Sequence, residues 1–81
     1  MRLDKYLKVS RLIKRRTVAA GACDGGRVQV NGVDAKPGKQ IKVGDTITIG
    51  YGKNPLTVRV KEVRETVGKD SADTLYEVIE G

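Results

Sequence analysis

The chain has 81 residues, a pI near 9.7 and a formal net charge of +6, from sixteen Lys and Arg against ten Asp and Glu, with no histidine. This length allows one domain with a small core, the single cysteine excludes an internal disulfide framework, and a zinc site would lack its usual histidine and paired-cysteine ligands. No apolar run is long enough for a signal peptide or a membrane span, so we expect a cytosolic protein.

The positive charge is concentrated at the start of the chain. Residues 1–16 contain seven basic residues and one acid, while the other residues hold nine basic and nine acidic groups that cancel. This asymmetry predicts a surface that binds a polyanion, and nucleic acid is the expected partner. A solvated basic surface without a partner is the alternative. The stretch 61–81, with three basic and six acidic residues, is expected to face away from the anion.

The first helix is predicted over roughly residues 3–9. Leu3, Tyr6 and Leu7 are three and four residues apart, so they share one helical face. Residues 10–13 are expected to break this helix and return under it. Tyr6 is interpreted as a half-buried anchor between two leucines, although its ring could also stack on a base.

A second helix is predicted from about Lys14 to Asp24. Gly21 weakens it by roughly 1 kcal/mol relative to alanine, and Gly25-Gly26 is a strong stop signal. Its inward positions are expected to be Ala19, Ala22 and Cys23, which makes the cysteine a small buried thiol rather than a nucleophile.

Three cations, Lys14, Arg15 and Arg16, begin this second helix. Cations are unfavourable at the positive end of the helix dipole, but backbone N–H groups at that end can bind phosphate. The pattern therefore indicates a bound anion, with a solvated helix start as the alternative.

The rest of the chain alternates apolar and polar residues between turn signals. Asn31-Gly32 between two alternating runs predicts a tight hairpin. The predicted strands lie at 27–30, 33–35, 46–49, 56–63 and 75–79. We therefore expect an α+β fold, with two short N-terminal helices packed on a small bent mixed sheet of about four or five strands. The expected core is Leu3, Leu7, Leu12, Ile13, Ala19, Val28, Val30, Ile47 and Ile49.

Several short stretches together resemble the S4 RNA-binding domain. They are Arg2-Leu3-Asp4-Lys5-Tyr6-Leu7, Ser10-Arg11, Ala19, Gly26-Arg27-Val28-Gln29-Val30-Asn31-Gly32 and Lys42-Val43-Gly44-Asp45. The resemblance covers about residues 1–49 and implies an S4-like (alpha-L) fold, in which a helix pair and the loop after it bind RNA phosphates. We expect one domain over 1–81, with C-terminal strands at about 56–80.

The opening MRLDKYLKVSRLIKRRT is similar to that of the stand-alone S4 proteins of bacterial ribosome-associated quality control, the RqcP (YabO) family, and we expect no other domain in this chain. That resemblance implies a non-enzymatic factor that binds 23S rRNA and P-site peptidyl-tRNA on a split, obstructed 50S subunit. It also implies a NEMF-family partner, RqcH, that adds a C-terminal alanine tail. No cofactor, metal or membrane is implied, and we expect a monomer.

The residues expected to bind RNA are Arg2, Lys5, Lys8, Arg11, Lys14, Arg15, Arg16 and Arg27. Arginine supplies a planar fork that engages two phosphate oxygens, whereas the lysines add diffuse attraction. Lys36, Lys39 and Lys42 either form a rim to this surface or are simply solvated. Asp4 is expected to orient a neighbouring arginine or to cap the first helix.

Three other functions compete with this interpretation. An enzyme would need a general base or a nucleophile, and the chain has no histidine and no paired carboxylates that flank a plausible pocket. A helix-turn-helix DNA-binding module is disfavoured because residues 18–22 of the second helix offer no side chains that read base edges. The related fifteen-kilodalton heat-shock family shares the binding surface and differs in its biological trigger, although it carries a longer basic C-terminal extension.

Overall fold

The computed structural model describes residues 1–50, 55–65, 68 and 74–80. Two helices come first, and five strands follow. The elements are α1 (Leu3–Val9), α2 (Arg16–Asp24), β1 (Val28–Val30), β2 (Val33–Asp34), β3 (Thr46–Ile49), β4 (Leu56–Val60) and β5 (Tyr76–Glu80). The predicted α+β class and the predicted strand number are confirmed.

The five strands form one sheet in the order β2-β1-β3-β4-β5, and all four pairings are antiparallel. The predicted mixed sheet is therefore wrong. A parallel pair needs a long crossover connection, which the two-residue link between β1 and β2 cannot supply. Strand β4 is also shorter than predicted, because the N–H groups of Lys61 and Glu62 both donate to the Leu75 carbonyl (2.8 and 3.2 Å) and leave the β4–β5 ladder.

Helix α1 begins against a distant loop. Its first N–H groups have no partner inside the helix. Those of Leu3 and Asp4 donate instead to the carbonyls of Lys39 (2.8 Å) and Pro37 (3.1 Å). Arg2 forms an isolated antiparallel bridge with Gln40. The 36–40 loop is thus fixed beside the N-terminus of α1.

Tyr6 fastens α1 to the C-terminal part of the sheet. Its side chain is completely buried, and its hydroxyl donates to the carbonyl of Leu75 (2.6 Å), immediately before β5. Burial, with a smaller contribution from Tyr76, raises the pKa of the Tyr6 phenol well above its ordinary value. The predicted anchor role is confirmed, but the side chain is fully rather than half buried, so its ring cannot stack on a base.

Helix α2 starts two residues later than predicted. Arg15 is extended (φ −122°, ψ 135°) and serves as the N-cap, so of the three cations only Arg16 lies inside the helix. The predicted glycine stop is confirmed in detail. Gly26 has a φ of +74°, its N–H donates to Cys23, and the N–H of Arg27 donates to Ala22, which together form a Schellman motif.

The β1–β2 hairpin has the predicted two-residue turn. Asn31 and Gly32 have φ values of +53° and +82°, as a type I′ turn requires. Val30 pairs with Val33 across this turn. Because a one-residue slip would turn every side chain to the other face, the turn fixes which residues of β1 reach the core.

Two glycine-to-alanine replacements are expected to change stability in opposite directions. Gly32→Ala places a side chain at a positive φ and should cost about 1 kcal/mol of the free energy of unfolding. Gly21→Ala lies on the exposed face of α2, where an added methyl group meets nothing within 4 Å, and should add about 0.5–1 kcal/mol. Urea denaturation measures both, and equal effects at the two positions would contradict the assigned backbone conformations.

The core lies between the helices and the inner face of the sheet. All the predicted core residues are buried except Leu12, which packs against the cluster from a partly buried position. Further buried residues come from both halves of the chain: Tyr6, Cys23, Ala35, Ile41, Val58, Val60 and Leu75. The C-terminal strands therefore complete the core that the N-terminal helices begin.

Candidate nucleic-acid interface

The eight predicted RNA-binding residues lie just before and on α1, on the turn that joins the two helices, at the start of α2 and three residues after its end. Seven of them are exposed and Lys5 is half-buried. Arg2 precedes α1, Arg15 caps α2, and Arg27 follows the Schellman motif. The helix pair and its flanks therefore present most of the basic groups to solvent.

Asp4 lies at the centre of this basic segment and is almost fully buried, with 4% exposure. One of its carboxylate oxygens is 3.2 Å from Arg2 Nε, and the other is 3.3 Å from Arg16 Nε. The side chains of Arg2 and Arg16 remain about half exposed. We call these three residues the Arg2–Asp4–Arg16 cluster.

The predicted contact of Asp4 with a neighbouring arginine is confirmed, and the carboxylate contacts two arginines. The alternative prediction, that Asp4 caps α1, holds in part: the N-cap residue is Arg2, which makes no side-chain capping hydrogen bond. Asp4 Oδ1 instead accepts a hydrogen bond from the backbone N–H of Lys5 at 2.8 Å. The carboxylate is thus held by its own helix as well as by the two guanidinium groups.

The 36–40 loop adjoins this cluster. A Cβ atom added at Gly38 would lie 4.0 Å from Arg2 Nη2, and both Lys36 and Lys39 are exposed. Sequence reasoning gave no signal for this contact, because it joins residues more than thirty positions apart. The loop that carries Lys36 and Lys39, two of the three lysines predicted as a possible rim, therefore adjoins Arg2.

Arg11 has a φ of +63°, which is uncommon for a residue other than glycine. Its N–H donates to the carbonyl of Lys8 (3.1 Å) just beyond the end of α1, a position that glycine usually occupies. The left-handed conformation costs an L-residue about 1–2 kcal/mol. An exposed arginine is therefore held at the sharp turn between the helices at a local cost.

Lys5 is engaged by an acidic residue from the second half of the chain. Its ammonium group forms an ion pair with the Glu65 carboxylate, and this contact lowers the pKa of Glu65. The prediction that the stretch 61–81 faces away from the basic surface is wrong at this residue. The Leu75 carbonyl accepts both from Tyr6 of α1 and from the N–H of Glu62, three residues before Glu65, so this part of the chain lies near α1.

Between Arg16 and Thr17 in its first turn and Asp24 at its end, α2 carries no polar side chain. Val18 is 56% exposed, and the neighbouring exposed helical positions are Thr17 and Gly21. Recognition of base edges needs side chains with several donors and acceptors at such positions. The geometry therefore disfavours α2 as a DNA recognition helix.

Cys23 has the predicted character of a buried thiol. It is 3% exposed, and burial, with smaller contributions from the charges of Asp4 and Asp24, raises its pKa to about 11. The thiol is therefore protonated at neutral pH.

Among the described residues, no helix has the length and hydropathy that crossing a membrane requires.

Comparison with known proteins identifies the fold and the family. A family model described as the S4 domain matches residues 1–47. An RQC P-site tRNA stabilizing factor from Halalkalibacterium halodurans is 56% identical over 78 residues, which is 96% of this chain and 89% of that protein. One from Listeria monocytogenes is 51% identical over 98% of this chain and 86% of its own length.

A solved structure agrees. The trimeric structure of Heat Shock Protein 15 from Vibrio cholerae superimposes with a TM-score of 0.89 at 34% identity, covering 96% of this chain and 80% of that one. The motif set that runs from Arg2 to Asp45 thus lies inside the matched S4 region. The chain belongs to the S4 domain family and, within it, to the RqcP family of RQC P-site tRNA stabilizing factors, which are RNA-binding proteins and not enzymes.

Proposed function

We propose that this chain binds 23S rRNA and P-site peptidyl-tRNA on the split, obstructed 50S subunit and holds the tRNA in place while RqcH, a NEMF-family factor, directs C-terminal alanine tailing. The observation that carries the proposal is the Arg2–Asp4–Arg16 cluster, in which two half-exposed guanidinium groups flank one buried carboxylate. The names of relatives that match along nearly the whole chain support the ribosomal target.

The proposed RNA contacts are Arg2, Lys5, Lys8, Arg11, Lys14, Arg15, Arg16 and Arg27. Lys5 contributes to RNA binding only when its ion pair with Glu65 opens, or when its ammonium group contacts Glu65 and a phosphate at the same time. Recognition is of phosphate and RNA shape, because Tyr6, the aromatic residue of the basic segment, is buried and stacking needs an exposed ring. Binding that neutralises about five phosphates should weaken steeply as salt increases.

The proposal treats residues 1–81 as one domain that acts as a monomer in the cytoplasm. The trimeric Vibrio cholerae relative makes the mass of the free chain worth measuring. Light scattering of the purified protein should give the mass of one chain, 8.8 kDa.

Sedimentation through sucrose gradients tests the proposal. The purified protein is mixed with 50S subunits that carry peptidyl-tRNA, with vacant 50S subunits and with 30S subunits. Comigration should be strongest with the first sample and should decrease steeply with added salt. A protein that stays at the top of every low-salt gradient would contradict a ribosomal target.

A heat-shock-type function is the second candidate, and the similarity to the Vibrio cholerae structure favours it. In that case the protein binds obstructed 50S subunits for recycling and does not support tailing. Reconstituted tailing with RqcH and alanyl-tRNA separates the two functions, because only the first requires this chain for tail growth. A general structured-RNA-binding module would bind free tRNA as tightly as the 50S complex.

Replacement of Arg11 by glycine is expected to separate binding from stability. Glycine accepts the φ of +63° without strain, so the free energy of unfolding should stay within about 0.5 kcal/mol or rise. Loss of one charge-assisted contact should weaken binding to the 50S–peptidyl-tRNA complex about tenfold. Arg11→Asn, which also tolerates this conformation, should behave alike, and unchanged affinity in both variants would remove Arg11 from the interface.

A further inference from the structure

We infer that Asp4 is a positioning residue for phosphate recognition: its buried carboxylate holds the guanidinium groups of Arg2 and Arg16 as a preformed pair that receives an RNA phosphate. The inference rests on the proposed function for its ligand. It concerns how the basic surface is built, and it assigns an RNA-binding task to an acidic residue.

The hydrogen-bond pattern leaves the binding edge of Arg16 available. Asp4 Oδ2 accepts from Arg16 Nε at 3.3 Å, so both terminal nitrogens of Arg16 remain outside the contact with Asp4. Arg2 is held more fully, with Nε at 3.2 Å from Oδ1 and Nη2 at 3.4 Å from Oδ2. Because the terminal nitrogens form the fork that engages two phosphate oxygens, this arrangement presents Arg16 in a binding-competent orientation.

The two positive charges that attract a phosphate are exposed, whereas the negative charge that repels it is buried. Asp4 has a side-chain exposure of 5%, whereas Arg2 and Arg16 have 51% and 48%. An approaching phosphate therefore meets the two guanidinium groups before the carboxylate. Two positive charges and one negative charge leave the cluster with a net charge of +1, which a phosphate can neutralise.

The expected benefit of Asp4 is preorganisation. Two neighbouring arginines without an anion between them repel each other, and each loses conformational freedom when RNA fixes it. Asp4 orders both guanidinium groups when the protein folds, so less conformational entropy is lost when RNA binds. Its removal should therefore weaken RNA binding about tenfold, even though it also removes a negative charge.

Removal of a negative charge should strengthen RNA binding, whereas loss of the contact that positions the arginines should weaken it. Asp4→Asn therefore shows which effect is larger. Asparagine keeps the size of the side chain and an oxygen that can accept from the Lys5 N–H, but it loses the charge that holds the arginines. The matched control is Asp24→Asn, which removes the same charge from an exposed position on α2. Affinities for the 50S–peptidyl-tRNA complex and for a synthetic RNA duplex are measured at several salt concentrations.

Asp4→Asn should weaken binding to both probes about tenfold, whereas Asp24→Asn should leave it unchanged or strengthen it up to about twofold. In an Arg16→Ala background, Asp4→Asn should cost much less than tenfold, because one of its two partners is already gone. Strengthening by Asp4→Asn equal to that by Asp24→Asn would overturn the inference.

Thermal unfolding is followed for every variant, and Arg16→Lys provides a second test if Asp4→Asn is poorly folded. Lysine retains the charge at an exposed position but cannot meet Asp4 and a phosphate at once through a planar fork. It should weaken binding about fivefold, and wild-type affinity would also overturn the inference. If the wild-type protein binds the RNA duplex but not the 50S complex, and the variants affect duplex binding as expected, the proposed function is contradicted and the role of Asp4 stands. Wild-type protein that binds neither the 50S complex nor the duplex would overturn both the proposed function and the role of Asp4.

Discussion

Replacement of both Arg2 and Arg16 by alanine is expected to weaken binding to the 50S–peptidyl-tRNA complex by about a hundredfold or more. Hydrogen bonds to charged groups contribute about 1.5–3 kcal/mol each, so two lost guanidinium contacts correspond to about 3–6 kcal/mol of binding free energy. The slope of log affinity against log salt should also become shallower by about two, since two fewer phosphates are neutralised. Gradient sedimentation and equilibrium binding measure both quantities.

A charge-matched control distinguishes a site from general attraction. Arg59 and Arg64 are exposed, lie in the second half of the chain and remove the same two charges when both become alanine. This pair should lower affinity only severalfold. The Arg2→Ala/Arg16→Ala variant leaves Asp4 without its cationic partners, so its thermal unfolding is checked first. Equal losses in the two double variants would mean that net charge, and not the cluster, drives binding.

Local patterns predicted those elements whose signals are complete within a few residues. The apolar spacing of Leu3, Tyr6 and Leu7 predicted α1 with the bounds that are observed, and Asn31-Gly32 predicted the hairpin. The start of α2 was misplaced because three consecutive cations give no capping signal that distinguishes one position from the next. Strand direction was missed because it depends on how the strands are connected in space.

The candidate site shows the same division between local and distant information. Charge patterning identified the basic segment, and the proximity of Asp4 to arginines in sequence predicted that it orients one of them. It could not predict that Arg16, twelve residues away, shares the same carboxylate. The Lys5–Glu65 ion pair and the contact of Arg2 with the 36–40 loop also depend on tertiary packing, which no short pattern encodes.

Replacement of Asp45 by alanine is expected to cost about 2–4 kcal/mol of the free energy of unfolding. Asp45 is 5% exposed and joins two turns, because its carboxylate accepts from Asn31 Nδ2 (3.2 Å) and from the Lys42 N–H (3.0 Å). Asn31 Oδ1 in turn accepts from the Thr46 N–H (3.0 Å). Alanine removes both of these part-buried hydrogen bonds, and the loss of a hydrogen bond to a charged group costs about 1.5–3 kcal/mol. Urea denaturation gives the value.

Asp34→Ala is the matched control, because Asp34 is an exposed acid whose hydrogen bond to the Gln29 amide (3.1 Å) is also exposed. It should change stability by less than about 0.5 kcal/mol. A small cost at Asp45 would show that water replaces the carboxylate in this turn. If the cost is large, a domain of this size loses much of its stability, since such domains have about 5–15 kcal/mol or less to lose. Asp45→Ala should then also lose RNA binding on warming, by unfolding, although its side chain lies outside the proposed RNA contacts.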